Sequence, residues 1–177
     1  MTSLALVATD LDHTFLGADQ RPSELNTRSM FAAAEHGTAV VFATGRPLRW
    51  LDLLEVFTDV NPTVIASNGA VTYDLRNHRV ISDTPFPIDV ITDVVNDIAS
   101  ELPEAKFSLE EAQRCCVEPG FDRVDHGRPV THQGPIREFL TADSRPVKML
   151  VRAFGIPTEE LFKIVDGVVD GLSLIHI

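Results

Sequence analysis

Short apolar runs that end on polar residues recur along the first third of the chain. Leu4-Ala5-Leu6-Val7-Ala8-Thr9 breaks into Asp10, and its almost wholly apolar character suits a strand buried on both faces of a parallel sheet. Ser23 then stands as a helix N-cap. Leu25, Met30, Phe31 and Ala34 are the apolar positions of the helix it starts, over 24–35, and Gly37 is its stop. Ala39–Ala43 reads as a second buried strand, ending at Thr44-Gly45-Arg46-Pro47. Pro47 fits the first turn of another helix, predicted to reach Phe57 through Trp50, Leu51, Leu54 and Val56. Thr63–Ala66 is a third strand, closing at Ser67-Asn68-Gly69. The order β-α-β-α-β predicts an α/β fold, a doubly wound parallel sheet with right-handed crossovers.

Beyond Gly69 the pattern changes. Residues 70–73 and 79–81 flank a turn-like segment, 74–78, and read as a hairpin. Pro85 and Pro87 punctuate its exit. A helix over 88–102 follows, with Val90, Ile91, Val94, Val95 and Ile98 on one face. The stretch 115–133 is rich in Gly, Pro and His and carries only a weak pattern. Residues 136–140 read as a short helix, 147–151 as a strand and 158–169 as a helix. The second half is therefore expected to be an α+β unit inserted after the third strand, with a boundary near residues 83–87. That division assigns 1–84 to one part and 85–171 to the other.

Composition narrows the partners. The 177 residues are 44% hydrophobic and 23% charged, an ordinary globular balance for one domain or slightly more. Fifteen basic against 26 acidic residues leave a net charge of -11, which repels polyphosphate backbones and argues against a nucleic-acid partner. The two cysteines, Cys115 and Cys116, are adjacent and show neither zinc spacing nor a disulfide framework, so they read as reduced thiols. His36, His78, His126, His132 and His176 show no ligand spacing either. No basic segment leads into a long apolar run at the start, and no run approaches the ~20 residues needed to span a bilayer. A cytoplasmic protein without a membrane partner is the expectation.

The chemistry lies where the strands end. The carboxyl ends of parallel strands share one sheet edge, so Asp10 and Asp12, Thr44, and Asn68-Gly69 are expected to meet there. Two carboxylates two residues apart at a strand end reach one small volume. One of them can attack phosphorus to give an acyl-phosphate. Mg²⁺, a hard ion that takes one or two carboxylates and phosphate oxygens, would offset the repulsion between the two anions. Asp12 is then placed to protonate the leaving oxygen and to deprotonate water. Thr44 and the backbone N–H groups beside it, Gly45 included, can hold the phosphoryl oxygens.

These residues also carry a family resemblance. Asp10-Leu-Asp-His-Thr-Phe-Leu resembles the first motif of the haloacid dehalogenase superfamily, usually written DxDGT[LV]. Phe42-Ala-Thr-Gly-Arg resembles the second motif, and Ser67-Asn-Gly-Ala the signature of the Cof-like subfamily, whose members insert an α/β cap after the third strand. The resemblance implies a Rossmann-like core, residues 1–84, and a partial cap, 85–171. It further implies a Mg²⁺-dependent phosphatase of small phosphorylated metabolites such as sugar phosphates, acting through an aspartyl-phosphate. Asp10 would be nucleophile and metal ligand. Asp12 would be acid/base and a ligand through its carbonyl, with Arg46, Asn68 and Gly69 facing the substrate. A phosphomutase of the same superfamily remains open as an alternative.

Two departures from the pattern stand out. His13 takes the place of the motif glycine, and His is among the residues that tolerate positive φ. The later lysine and the acidic fourth motif are not found, and Lys148 reads as part of a cap strand. Leu172-Ser-Leu-Ile-His-Ile resembles a translated adaptor, so the chain is expected to be a truncated reading frame with a non-native tail, and an inactive fragment is the rival reading.

Overall fold

A computed structural model describes residues 4–121 and 130–169. The expected tail at 172–177, His126 and His176, and the centre of the 115–133 stretch lie outside the described residues. By internal contacts the chain divides into two units, Met1–Thr84 and Pro85–Ile177.

The first unit is a five-stranded sheet in the order β1-β2-β3-β4-β5: β1 (Leu6–Asp10), β2 (Ala39–Ala43), β3 (Thr63–Ala66), β4 (Val71–Asp74) and β5 (Arg79–Asp83). The first three strands are parallel, with Asp10 opposite Ala43 and Ala43 opposite Ile65. The expected hairpin forms and continues the same sheet, β4 running antiparallel to β3 and β5 to β4. Helix α1 (Glu24–Glu35) is capped as predicted, the Ser23 hydroxyl accepting from the Asn26 amide at 3.0 Å. The α/β class read from the periodicity is borne out.

Three expectations fail in detail. β1 was expected to be covered on both faces, yet Leu4 is 59% and Leu6 52% exposed. It stands first in the sheet order, so only β2 pairs with it among the described residues. In α1, Leu25 is exposed and no residue is fully buried, the helix resting on the sheet through half-buried positions such as Phe31. The helix predicted from Pro47 to Phe57 is instead two 3₁₀ segments, Leu48–Trp50 and Asp52–Val60. The buried residues explain the change: Leu51, Leu54, Phe57 and Val60 recur every third position, the 3₁₀ period that stacks i on i+3. Val56, predicted to face inward, is 56% exposed.

Phe57 also joins the centre of this unit. Phe15 lies 5.1 Å from Phe42 and 5.5 Å from Phe57, ring centre to ring centre, and Phe31 stacks on Phe57 at 5.8 Å. Tilted and offset aromatic contacts of this kind add to the burial of the rings themselves. They bind β2, α1, the 3₁₀ segment and the loop after β1 into one core.

The second unit is built from α2 (Ile88–Glu101), β6 (Lys106–Glu110), β7 (Cys115–Val117), β8 (His132–Gln133), β9 (Lys148–Arg152) and α3 (Thr158–Val168). Its sheet runs β8-β7-β6-β9, and Ile91, Val95 and Ile98 of α2 pack with Phe107, Leu109 and Val165. The predicted α2, β9 and α3 are present, and 136–140 is a 3₁₀ turn, Ile136–Phe139. Strands β6 to β8 were not foreseen. Lys148 lies in β9, as its apolar setting suggested. Among the described residues no helix is long and apolar enough to cross a membrane.

Candidate active site

Asp10 is the last residue of β1, and the chain turns immediately after it. The Leu16 amide donates back to the Leu11 carbonyl at 2.8 Å, closing a tight turn over Leu11–Phe15. Leu11 and Phe15 anchor the turn in the core, and the Asn26 side chain donates to the Phe15 carbonyl at 2.8 Å. Between those anchors the backbone must reverse, and His13 does so in the left-handed region at φ 57. His therefore occupies the conformation for which the motif keeps glycine, at an exposed site where its ring meets no wall.

The ends of β2 and β3 are stitched together. The Thr44 amide donates to the Ile65 carbonyl at 2.8 Å, Asn68 N–H to the Thr44 carbonyl at 3.1 Å, and Ser67 N–H to the Arg46 carbonyl at 3.0 Å. Ser67, Asn68 and Gly69 follow one another at φ 51, 58 and 99, a left-handed turn that swings the Asn68 side chain over Gly45. A β-carbon built on Gly45 would lie 2.7 Å from Asn68 Oδ1. The buried Thr44 hydroxyl accepts from the Arg46 amide at 3.1 Å, which leaves its own proton for an incoming oxygen.

Asp10, Ala43, Thr44, Gly45, Ile65, Asn68 and Gly69 line a concavity of about 450 Å³. The strand-end residues predicted to meet thus do meet, with two exceptions. Asp12 and Arg46 are not among the lining residues, and they face each other. Arg46 Nε donates to both Asp12 oxygens, at 3.2 and 3.0 Å, and Nη2 adds a further bond to Oδ1. This hydrogen bonding, reinforced by the charge of Arg46 and opposed by partial burial, holds the Asp12 carboxyl below the usual carboxylate range. Nη2 also donates to Gln20 Oε1, a contact that no sequence motif signals.

Asp10 is solvent-exposed and borders the concavity. No group of three or more His, Cys, Asp or Glu side chains able to hold a metal occurs among the described residues. Asp10 offers hard carboxylate oxygens, to which the family resemblance adds the Asp12 backbone carbonyl. That set fits Mg²⁺, which commonly takes one or two protein oxygens and fills its shell with water and phosphate.

Parallel strands whose ends bring Asp10, Thr44-Gly45 and Asn68-Gly69 to one edge define an α/β protein with a concavity at that edge. The chain belongs to the haloacid dehalogenase-like hydrolase family, whose model matches residues 7–166, as the motifs implied. It is 32% identical over 101 residues to the Bacillus subtilis protein YxeH, named as a candidate phosphatase, covering 55% of this chain and 37% of that one. A haloacid dehalogenase-like hydrolase of Bacteroides thetaiotaomicron superposes with a TM-score of 0.73 at 16% identity, covering 91% of this chain and 61% of the other. The sugar phosphatase BT4131 superposes with a TM-score of 0.71 at 20% identity, over 94% and 63%. The chain thus spans less than two thirds of each of these relatives.

Proposed function

We propose that the site performs Mg²⁺-dependent hydrolysis of small phosphate monoesters, with Asp10 as nucleophile. The observation that carries this reading is the concavity that Asp10 lines together with Thr44 and Gly45 of the neighbouring strand end. An Asp10 oxygen attacks phosphorus and the ester oxygen leaves, giving an aspartyl-phosphate. Water then attacks that phosphorus and frees Asp10. Thr44 O–H and the backbone at Gly45 hold the phosphoryl oxygens.

Asp12 gives a proton to the leaving oxygen and afterwards, as a carboxylate, takes one from the attacking water. The Arg46 contact favours the second of these states. Asp10 and the Asp12 carbonyl would hold a Mg²⁺ ion, whose charge would offset the repulsion between carboxylate and phosphoryl oxygens. Asn68 and Gly69 border the leaving-group side. Arg46 Nη1, which meets no acceptor among the described residues, is available to a ligand oxygen.

A volume of about 450 Å³ suits a small metabolite, and the likeness to BT4131 favours a sugar phosphate. A net charge of -11 disfavours nucleic acid, and a substrate of this class would be met in the cytoplasm. The test is hydrolysis of p-nitrophenyl phosphate with and without Mg²⁺. Activity is expected with the ion, and Asp10→Asn should lower it at least about 100-fold. An Asp10→Asn variant as active as the parent would refute the assignment.

A further inference from the structure

Gln20 belongs to no motif and is exposed, yet it holds a conformation that its side chain does not favour. Its φ is 61, the left-handed region, at the tip of the turn after β1. The turn is stitched around it. Gly17 N–H donates to the Arg21 carbonyl at 2.8 Å, Gln20 N–H to the Gly17 carbonyl at 3.0 Å, and Arg21 N–H to Asp19 Oδ1 at 3.1 Å. A bridge between Leu16 and Pro22 closes its base. Strain held so firmly in place, at the edge of a site, points to the side chain it delivers.

That side chain reaches Arg46 from a separate loop, its Oε1 accepting from Nη2. A guanidinium can meet a carboxylate side-on, through Nε and one Nη, or end-on, through both Nη groups. Here it is side-on, and the second Nη2 proton points away from Asp12. A fixed acceptor for that proton selects this arrangement over the end-on one. The Arg46 side chain is 11% exposed and that of Asp12 39%, so the aim of Asp12 depends more on Arg46 than on packing.

We infer that Gln20 is a positioning residue: its carboxamide oxygen fixes the plane of the Arg46 guanidinium, and that plane aims the Asp12 carboxylate. The inference rests on the proton-carrying role proposed for Asp12. It also explains an amide at this position. A carboxylate would hold Arg46 as well but would add negative charge beside a site for an anionic group.

The experiment follows the exchange of the Arg46 Hε proton with water by NMR in the parent chain and in Gln20→Leu, Gln20→Asn and Gln20→Glu. Asn accepts the left-handed backbone but is one methylene short, so it tests the contact even if Leu disturbs the turn. Exchange should be about tenfold faster in the Leu and Asn variants and near the parent rate in Glu. With p-nitrophenyl phosphate as substrate, Gln20→Leu should lower kcat with KM unchanged, whereas Gln20→Glu should raise KM. Parental exchange in both Leu and Asn, or equal acceleration in Glu, would overturn the inference. Absence of phosphate release by the parent chain would instead count against the proposed function, and the exchange rates would still decide the role of Gln20.

Discussion

At Gly45 a single hydrogen decides the geometry of the site. A methyl group there would fall 2.7 Å from Asn68 Oδ1, too close for the carboxamide to remain. Asn68 is exposed and can swing away, so Gly45→Ala should change stability by less than about 1 kcal/mol, read as a thermal unfolding midpoint. Hydrolysis should nonetheless fall by roughly tenfold or more, because both the floor and one wall of the concavity shift. Asp10, Asp12, Thr44 and Asn68 were readable as residue types at strand ends, since parallel strands bring their ends together whatever the loops do. The pairing of Arg46 with Asp12 was not, nor was Gln20. Both depend on where a turn aims a long side chain, and sequence spacing does not encode that.

Turns and strands of the two units carry their own tests. The Asp74 carboxylate accepts from the Asn77 side chain at 2.8 Å and from its backbone N–H at 3.0 Å. These bonds, the side-chain one foremost, hold its carboxyl below the usual value, with Arg79 adding attraction at 3.9 Å. A group depressed on folding contributes stability above its unfolded value, near about 3.9, and loses it as pH falls through the folded one. Lowering the pH from about 5 to about 3 should therefore shift the urea midpoint of the parent more than that of Asp74→Ala. In the second unit, Glu118 accepts from Phe107 N–H at 3.1 Å with one oxygen and from Ile136 N–H at 3.0 Å with the other. Glu118→Ala strands both donors and should cost about 2 kcal/mol in chemical unfolding. Glu118→Gln, which keeps one acceptor oxygen, should cost less.

The same scale shows why some elements were legible and others not. The face of α2 repeats at 3.6 and was read correctly at Ile91, Val94, Val95 and Ile98, whereas Val90, expected on it, is only half buried. The run Leu51, Leu54, Phe57, Val60 repeats at three, and a reading tuned to α-helices kept Leu51 and Leu54, added Trp50 and Val56, and stopped at Phe57. β6 hides its alternation because Ser108 and Glu110, the polar members, are as buried as Phe107 and Leu109.

For the molecule as a whole, the margin of the first sheet governs behaviour in solution. β1 presents an apolar strand with Leu6 half exposed and no neighbour on its outer side among the described residues. An open apolar edge templates pairing with other chains. Leu6→Lys should reduce concentration-dependent light scattering, with stability altered by no more than about 0.5 kcal/mol. The high negative charge opposes that association, so added salt should bring parent and variant apart. The second unit offers a different kind of handle. Cys115 and Cys116 form no disulfide and are buried, in separate apolar clusters: Cys115 with Val117 and Phe121, Cys116 among the side chains of α2 and α3. Burial pushes the Cys116 thiol up to about 11, so at neutral pH it is almost wholly protonated and inert while the unit is closed. Two neighbouring residues thereby become natural chemical clocks for the two faces of one sheet. The order in which an alkylating reagent reaches them under mild denaturant records which side of that sheet opens first.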